Sequence, residues 1–171
     1  PPGTLSRKIL RANLSDLAAM GATPRAYALG LALPDKLAPG WLEDFCAGLA
    51  ADQAQFGITL IGGDTIAAPD ALTLSLTAFG EVPAGRALRR SGANGGDDIY
   101  VSGTIGDASL GLLVARGQLE KLSPVDRGAL IARYQVPLPR TKLGQYLLGR
   151  ASAAIDISDG LVADLGHICA V

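Results

Sequence analysis

The 171 residues are 49% hydrophobic and 18% charged, with 15 Lys and Arg against 16 Asp and Glu, a balance that describes a globular chain and excludes disorder, coiled coil and collagen. Aromatic residues at 5% and scattered basic residues offer neither a stacking platform nor a charged track for a nucleic acid. No run approaches the roughly 18 apolar residues of a spanning helix, and Pro1-Pro2-Gly3-Thr4 lacks the basic-then-apolar order of a signal peptide, so the expectation is a soluble, cytoplasmic protein without nucleic-acid or membrane partners.

In chain order, a helix is expected over Leu14 to Met20, closed by Gly21. Ala26 to Leu33 alternates, with Tyr27, Leu29, Leu31 and Leu33 on one face and Ala26, Ala28, Gly30 and Ala32 on the other. That is a strand whose bulky face meets a core and whose bare face meets a close neighbour, such as another subunit. Leu42, Phe45, Cys46 and Leu49 form the inward stripe of a helix over Trp41 to Phe56. A buried strand, Ile58 to Ile61, then runs into Gly62-Gly63-Asp64-Thr65, and Leu72 to Val82 alternates as a further strand.

From Pro83 to Asp98 glycines and arginines crowd together, which marks a connection between domains 1–84 and 85–171. Beyond it, Ile99 to Ser102 reads as a strand and Asp107 to Ala115 as a helix entered through Gly106. Ser123, Pro124 and Asp126 make a helix start, with the helix reaching Tyr134 before Pro137 and Pro139. A short helix over Lys142 to Leu148, a strand over Ala153 to Ser158 and a helical pattern from Leu161 complete the chain. The fold class is α+β. Cys46 and Cys169, without Cys-x-x-Cys spacing, read as buried small hydrophobes.

His167 is the single histidine, which excludes multi-histidine zinc sites and leaves chemistry to carboxylates. Three acidic islands stand at element junctions: Asn13-Leu14-Ser15-Asp16, Gly62-Gly63-Asp64-Thr65 and Asp156-Ile157-Ser158-Asp159-Gly160. Hard oxygen ligands suit magnesium, which takes one or two carboxylates and completes its shell with phosphate and water. Each island also has a plain reading: Asp16 as a helix N-cap, Gly62 to Thr65 as a turn between strands. Asp156, between Ile155 and Ile157, is costly to bury unpaired. Arg90 is either a phosphate fork or a solvated linker arginine. Neither a Walker loop nor a dinucleotide fingerprint is present. Gly103-Thr104-Ile105-Gly106-Asp107 reads as a tight strand-to-helix turn.

Taken in order, Asn13-Leu14-Ser15-Asp16-Leu17-Ala18-Ala19-Met20-Gly21-Ala22, Gly62-Gly63-Asp64-Thr65, Arg90-Ser91-Gly92-Ala93 and Ala154-Ile155-Asp156-Ile157-Ser158-Asp159-Gly160-Leu161 closely resemble the thiamine-monophosphate kinase family. The resemblance implies the two-domain fold of the aminoimidazole-ribonucleotide-synthetase (PurM-like) superfamily, a mixed-sheet N-terminal domain followed by an α/β domain. It implies transfer of the terminal phosphate of ATP to thiamine monophosphate, with Mg2+ and usually a monovalent cation such as K+, in a homodimer associated through the first domains. By the same resemblance, Asp16, Asp64, Asp156 and Asp159 hold magnesium, while Gly63, Asp64, Arg90 and Ser158 contact ATP.

Family members carry Gly-Asp-Asp and Val-Asp-Thr motifs ahead of the region matching Thr4 and a further portion after Val171, so the chain is expected to cover the middle of the pattern and, alone, to turn over little or nothing. The alternatives are another ATP-dependent synthetase or kinase of the superfamily, a magnesium-nucleotide-binding fragment without turnover, and a dimerisation fragment.

Overall fold

Leu10, Leu14, Tyr27, Leu29, Phe45, Leu49 and Ile58 gather into one buried cluster, and the elements that supply them define the first half of the molecule. The computed structural model describes residues 1–171. Helix α1 runs over Pro2–Ala19, strand β1 over Thr23–Leu33, helix α2 over Trp41–Phe56, and strands β2 and β3 over Thr59–Ala67 and Thr73–Glu81. The strands form one sheet in the order β2-β1-β3, with β1 parallel to β2 and antiparallel to β3.

Helix α1 begins twelve residues before the expected Leu14. Its buried positions are Ser6, Leu10, Arg11, Leu14 and Ala18, a stripe at spacings of three and four that is hidden from a hydrophobicity reading because two members are polar. In α2 the buried positions are Phe45, Gly48, Leu49 and Asp52. Leu42 and Cys46, expected on the inner stripe, are exposed, and Cys169 is exposed as well. The inner face of α2 turns toward Asp52 because this buried carboxylate meets Arg11, with N–O distances of 2.6 and 2.8 Å, and Arg7, at 3.0 Å. Gly48 permits the helices to approach, since a Cβ there would collide with Ser6 and the backbone of Gly3.

The core face of the sheet carries Tyr27, Leu29 and Leu31, flanked by Ala78, Leu76 and Leu74 of β3. On the other face, Ala28, Gly30 and Ala32 pair with Thr77, Ser75 and Thr73 of β3 and with Gly62, Asp64 and Ile66 of β2. Every residue of β2 is exposed, Ile61 to 64%. The expected buried strand therefore reduces to Ile58, and β2 is an edge strand. Gly62 to Thr65 is part of that strand and is not a turn.

The second half holds helices α3 (Asp107–Ala115), α4 (Pro124–Gln135), α5 (Thr141–Leu147) and α6 (Leu161–Cys169). Gly106 caps α3 in a left-handed conformation with φ 93°. Ser123 caps α4 by accepting the Asp126 N–H at 3.1 Å. The strands expected over Ile99 to Ser102 and Ala153 to Ser158 do not form. Neither pairs with a neighbouring strand, and a strand exists only as a pair; Ile99 and Tyr100 are 66% and 87% exposed. No helix is long and apolar enough to cross a membrane.

The halves meet along α1. Arg11 donates to the Pro137 carbonyl at 3.1 Å, the Lys8 ammonium lies 3.6 Å from the centre of the Tyr134 ring, and a Cβ on Gly144 of α5 would collide with the backbone of Ala18.

Candidate functional site

Leu14 points into the core, so the next two residues of the last turn of α1, Ser15 and Asp16, face the second half. Asp16 lies inside the helix and does not cap its N-terminus, which removes that plain reading. The Ser15 hydroxyl donates to Asp156 Oδ2 at 3.2 Å. Asp16 is exposed at its surface, yet partial loss of hydration, followed by repulsion from Asp156, pushes its carboxyl above its ordinary value against the opposing pull of Arg90. Asp16 also sits at the C-terminal end of a helix, where the dipole disfavours negative charge.

Arg90 belongs to the short 3-10 turn Arg90–Gly92. The Ala154 N–H donates to the Arg89 carbonyl at 3.3 Å, and a Cβ on Gly92 would strike the Ser152 carbonyl. This lacing holds the Arg90 turn beside the extended segment that ends in Asp156. Arg90 is exposed, and its positive charge opposes the rise of the Asp16 carboxyl. Asp156 is half-buried, while Ile157 is 41% exposed. Asp156 is thus a partly exposed carboxylate held by Ser15 of the first half and does not occupy the strand interior expected from its apolar neighbours.

Beyond Asp156, the chain bends at Gly160, whose φ of 139° favours glycine, and enters α6. Asp164 of α6 is 3% exposed, and its Oδ2 accepts the N–H groups of Ser158, Asp159 and Gly160 at 2.9, 3.1 and 3.1 Å. Ser158 and Asp159 are exposed on this bend.

Gly63 and Asp64 lie elsewhere, on the exposed strand β2. A Cβ on Gly63 would collide with the backbone of Leu29, and Asp64, in register with Gly30, stands on the sheet face turned away from the buried cluster. Its Oδ1 accepts the Thr65 N–H at 2.8 Å. The structure therefore brings together Asp16, Asp156 and Arg90, with Ser15 between them. It sets Ser158 and Asp159 on the adjoining bend and Asp64 on the sheet, and no three acidic, His or Cys side chains converge on a common point.

Two contributors went unassigned in the sequence. Ser15 lies inside the first acidic island and carried no distinguishing signal. Asp164 had one: an acidic residue in the first turn of a helix, four after the glycine that opens it, is placed to reach back to free amides.

The donor set of Asp16, Asp156 and the Ser15 hydroxyl is all oxygen, with two carboxylates opposed by one guanidinium. Excess negative charge on hard oxygen donors fits a small hard cation such as magnesium.

Comparison with known proteins bears on the whole chain. Residues 1–82 match the family described as AIR synthase related protein, N-terminal domain. The thiamine-monophosphate kinase of Salmonella typhimurium is 50% identical over 167 residues, which are 98% of this chain and 50% of that protein. The crystal structure of thiamine-monophosphate kinase from Stenotrophomonas maltophilia superposes with a TM-score of 0.90 at 48% identity, covering 99% of this chain and 54% of that one. AaThiL complexed with AMPPCP and TMP also gives 0.90, at 32% identity, over 98% of this chain and 53% of that one. The chain spans about half the length of the curated relatives it matches.

Proposed function

From a chain that belongs to the thiamine-monophosphate kinase family, matched over about half the length of its members, we propose the activity of that family: transfer of the terminal phosphate of ATP to thiamine monophosphate, giving thiamine diphosphate. The observation that carries this reading is the hydrogen bond from Ser15 to Asp156, beside an Asp16 carboxyl on which the charges of Asp156 and Arg90 both act. The likeness to AaThiL, a protein solved with AMPPCP and TMP, supports it.

Phosphoryl transfer between two anions asks for positioning and charge neutralisation more than for a reactive side chain. Asp16 and Asp156 hold magnesium in this reading, with Asp159 from the bend and Asp64 from the sheet as further ligands. Magnesium bound there supplies the positive charge that lets the donor and acceptor phosphates approach. Arg90 pairs with phosphate oxygens through its planar fork, Ser158 offers a hydroxyl, and Gly63 offers the backbone of β2 to the nucleotide. The acceptor is a phosphate monoester already largely ionised at neutral pH, so no strong general base is required. K+ joins Mg2+ as an accessory cation.

The same reading places the protein in the cytoplasm and makes it a homodimer, two copies meeting through the bare face formed by Ala26, Ala28, Gly30 and Ala32. The division into domains 1–84 and 85–171 belongs to it as well.

The test is conversion of thiamine monophosphate to thiamine diphosphate with ATP, the product identified by chromatography. Product that disappears without magnesium and in Asp156→Asn supports the kinase. Product unaffected by both controls overturns the carboxylate site. Magnesium-dependent ATP binding without product leaves a nucleotide-binding module in place of the kinase.

A further inference from the structure

Asp164 has no role in the reaction chemistry described above, yet it organises the bend that carries two of its groups. One buried oxygen, Oδ2, receives three consecutive backbone N–H groups, those of Ser158, Asp159 and Gly160. These amides lie on the bend just ahead of α6, whose first helical residue is Leu161. Asp164 satisfies them from within the chain. A ligand phosphate arriving at this bend finds its amides engaged, and what the bend offers outward is the Asp159 carboxylate and the Ser158 hydroxyl, both exposed. Such a surface suits a cation carried by a phosphate better than a bare phosphate.

We propose that Asp164 is a positioning residue: its carboxylate fixes the backbone of Ser158–Gly160 and thereby directs Ser158 and Asp159 toward a magnesium-bound nucleotide. The proposal rests on the magnesium-nucleotide reading of the site. Partners that orient a metal ligand from behind commonly contribute about 10–100-fold to affinity. Gly160, with φ 139° and ψ 153°, completes the device, since it lets the chain double back onto Asp164 over only four residues.

The bland account is a helix cap that stabilises α6 and nothing more. The two separate when affinity for AMPPCP with magnesium is measured by calorimetry on the whole chain, beside thermal melting and amide exchange at residues 158–160. Wild type, Asp164→Asn, Asp164→Ala and Val114→Ala are compared, the last truncating a buried residue of α3 away from the bend. We expect affinity to fall by about 10–100-fold in Asp164→Ala and by less in Asp164→Asn, which keeps one acceptor oxygen, while Val114→Ala lowers Tm and leaves affinity at the wild-type value.

Faster exchange at the three amides with unchanged affinity overturns the proposal and leaves the site reading intact, provided that Asp156→Asn abolishes binding. If Asp164→Ala does not fold, Asp164→Asn decides by the same criterion. Wild type that binds no magnesium nucleotide overturns the site reading and the positioning role with it.

Discussion

Ser15 and Asp156, 141 positions apart, meet as donor and acceptor across 3.2 Å, and this hydrogen bond brings the Asp156 carboxylate up to that of Asp16. The repulsion between the two acids is part of what raises the Asp16 carboxyl, after burial. Asp156→Asn removes one negative charge and keeps the shape. The free protein should melt at the same temperature or higher, and the magnesium-dependent heat of ATP binding should vanish. Retention of that heat in the variant would refute a ligand role for Asp156.

Gly63 lies against the backbone of Leu29 with no room for a side chain. Gly63→Ala should push β2 away from β1, at a cost of about 1–3 kcal/mol, the usual range for overpacking, and should displace Asp64 with it. Denaturant unfolding reads the first effect and nucleotide calorimetry the second. Wild-type stability in this variant would show that the edge strand yields without penalty.

Asp52 is buried between Arg11, itself 2% exposed, and Arg7. Asp52→Ala leaves Arg11 as a buried cation without its counter-charge, and such losses cost about 3–5 kcal/mol. Replacing Arg11 by Met together with Asp52 by Leu should recover much of that stability, because a buried pair is often matched by well-packed apolar side chains. Chemical denaturation of the three proteins provides the comparison. A double variant no more stable than Asp52→Ala would contradict it.

Acid should weaken the fold through Asp164. Burial pushes this carboxyl up, but the N–H groups of Gly160, Ser158 and Asp159 and the charge of His167 outweigh burial and hold it below its ordinary value. A group whose folded value is depressed contributes stability that is present above about pH 4, the unfolded range, and is lost as pH falls through the folded value. The melting advantage of wild type over Asp164→Asn should therefore shrink on acidification below that range. Asp16, with its value raised, works in the opposite sense: its ionisation costs stability as pH rises through the folded value. A wild-type advantage that grows with acid would show that the three amides do not favour the ionised form.

Ala28 stands on the bare face of β1, in register with Thr77 and Gly62. If two copies meet there, Ala28→Trp should leave a folded monomer, read by analytical ultracentrifugation with circular dichroism as the control for folding. An unchanged dimer would move the interface elsewhere.

Elements closed by local chemistry were legible in the sequence. Gly106 before α3 and the Ser123-Pro124-Asp126 start of α4 act within one turn, and both helices begin there. What depends on distant partners was not legible. Helix α1 is longer than its apolar residues indicate because Arg11 is buried through Asp52, on another helix. The apolar runs at 99–102 and 153–158 have strand composition but no strand beside them. The candidate site divides the same way. Its acidic islands stand out individually, whereas the approach of Asp16 to Asp156 and the three amides on Asp164 exist only once the chain has folded.

Five ties lie on α1: Lys8 to Tyr134, Arg11 to Asp52 and to Pro137, Leu14 to the sheet core, and Ser15 to Asp156. One rigid rod thus serves as a shared ruler for both halves. Sliding it by a single residue, about 1.5 Å of rise, would put the Arg11 and Ser15 hydrogen bonds out of reach together. A displacement of the rod would therefore change the spacing at Pro137 and at Asp156 together.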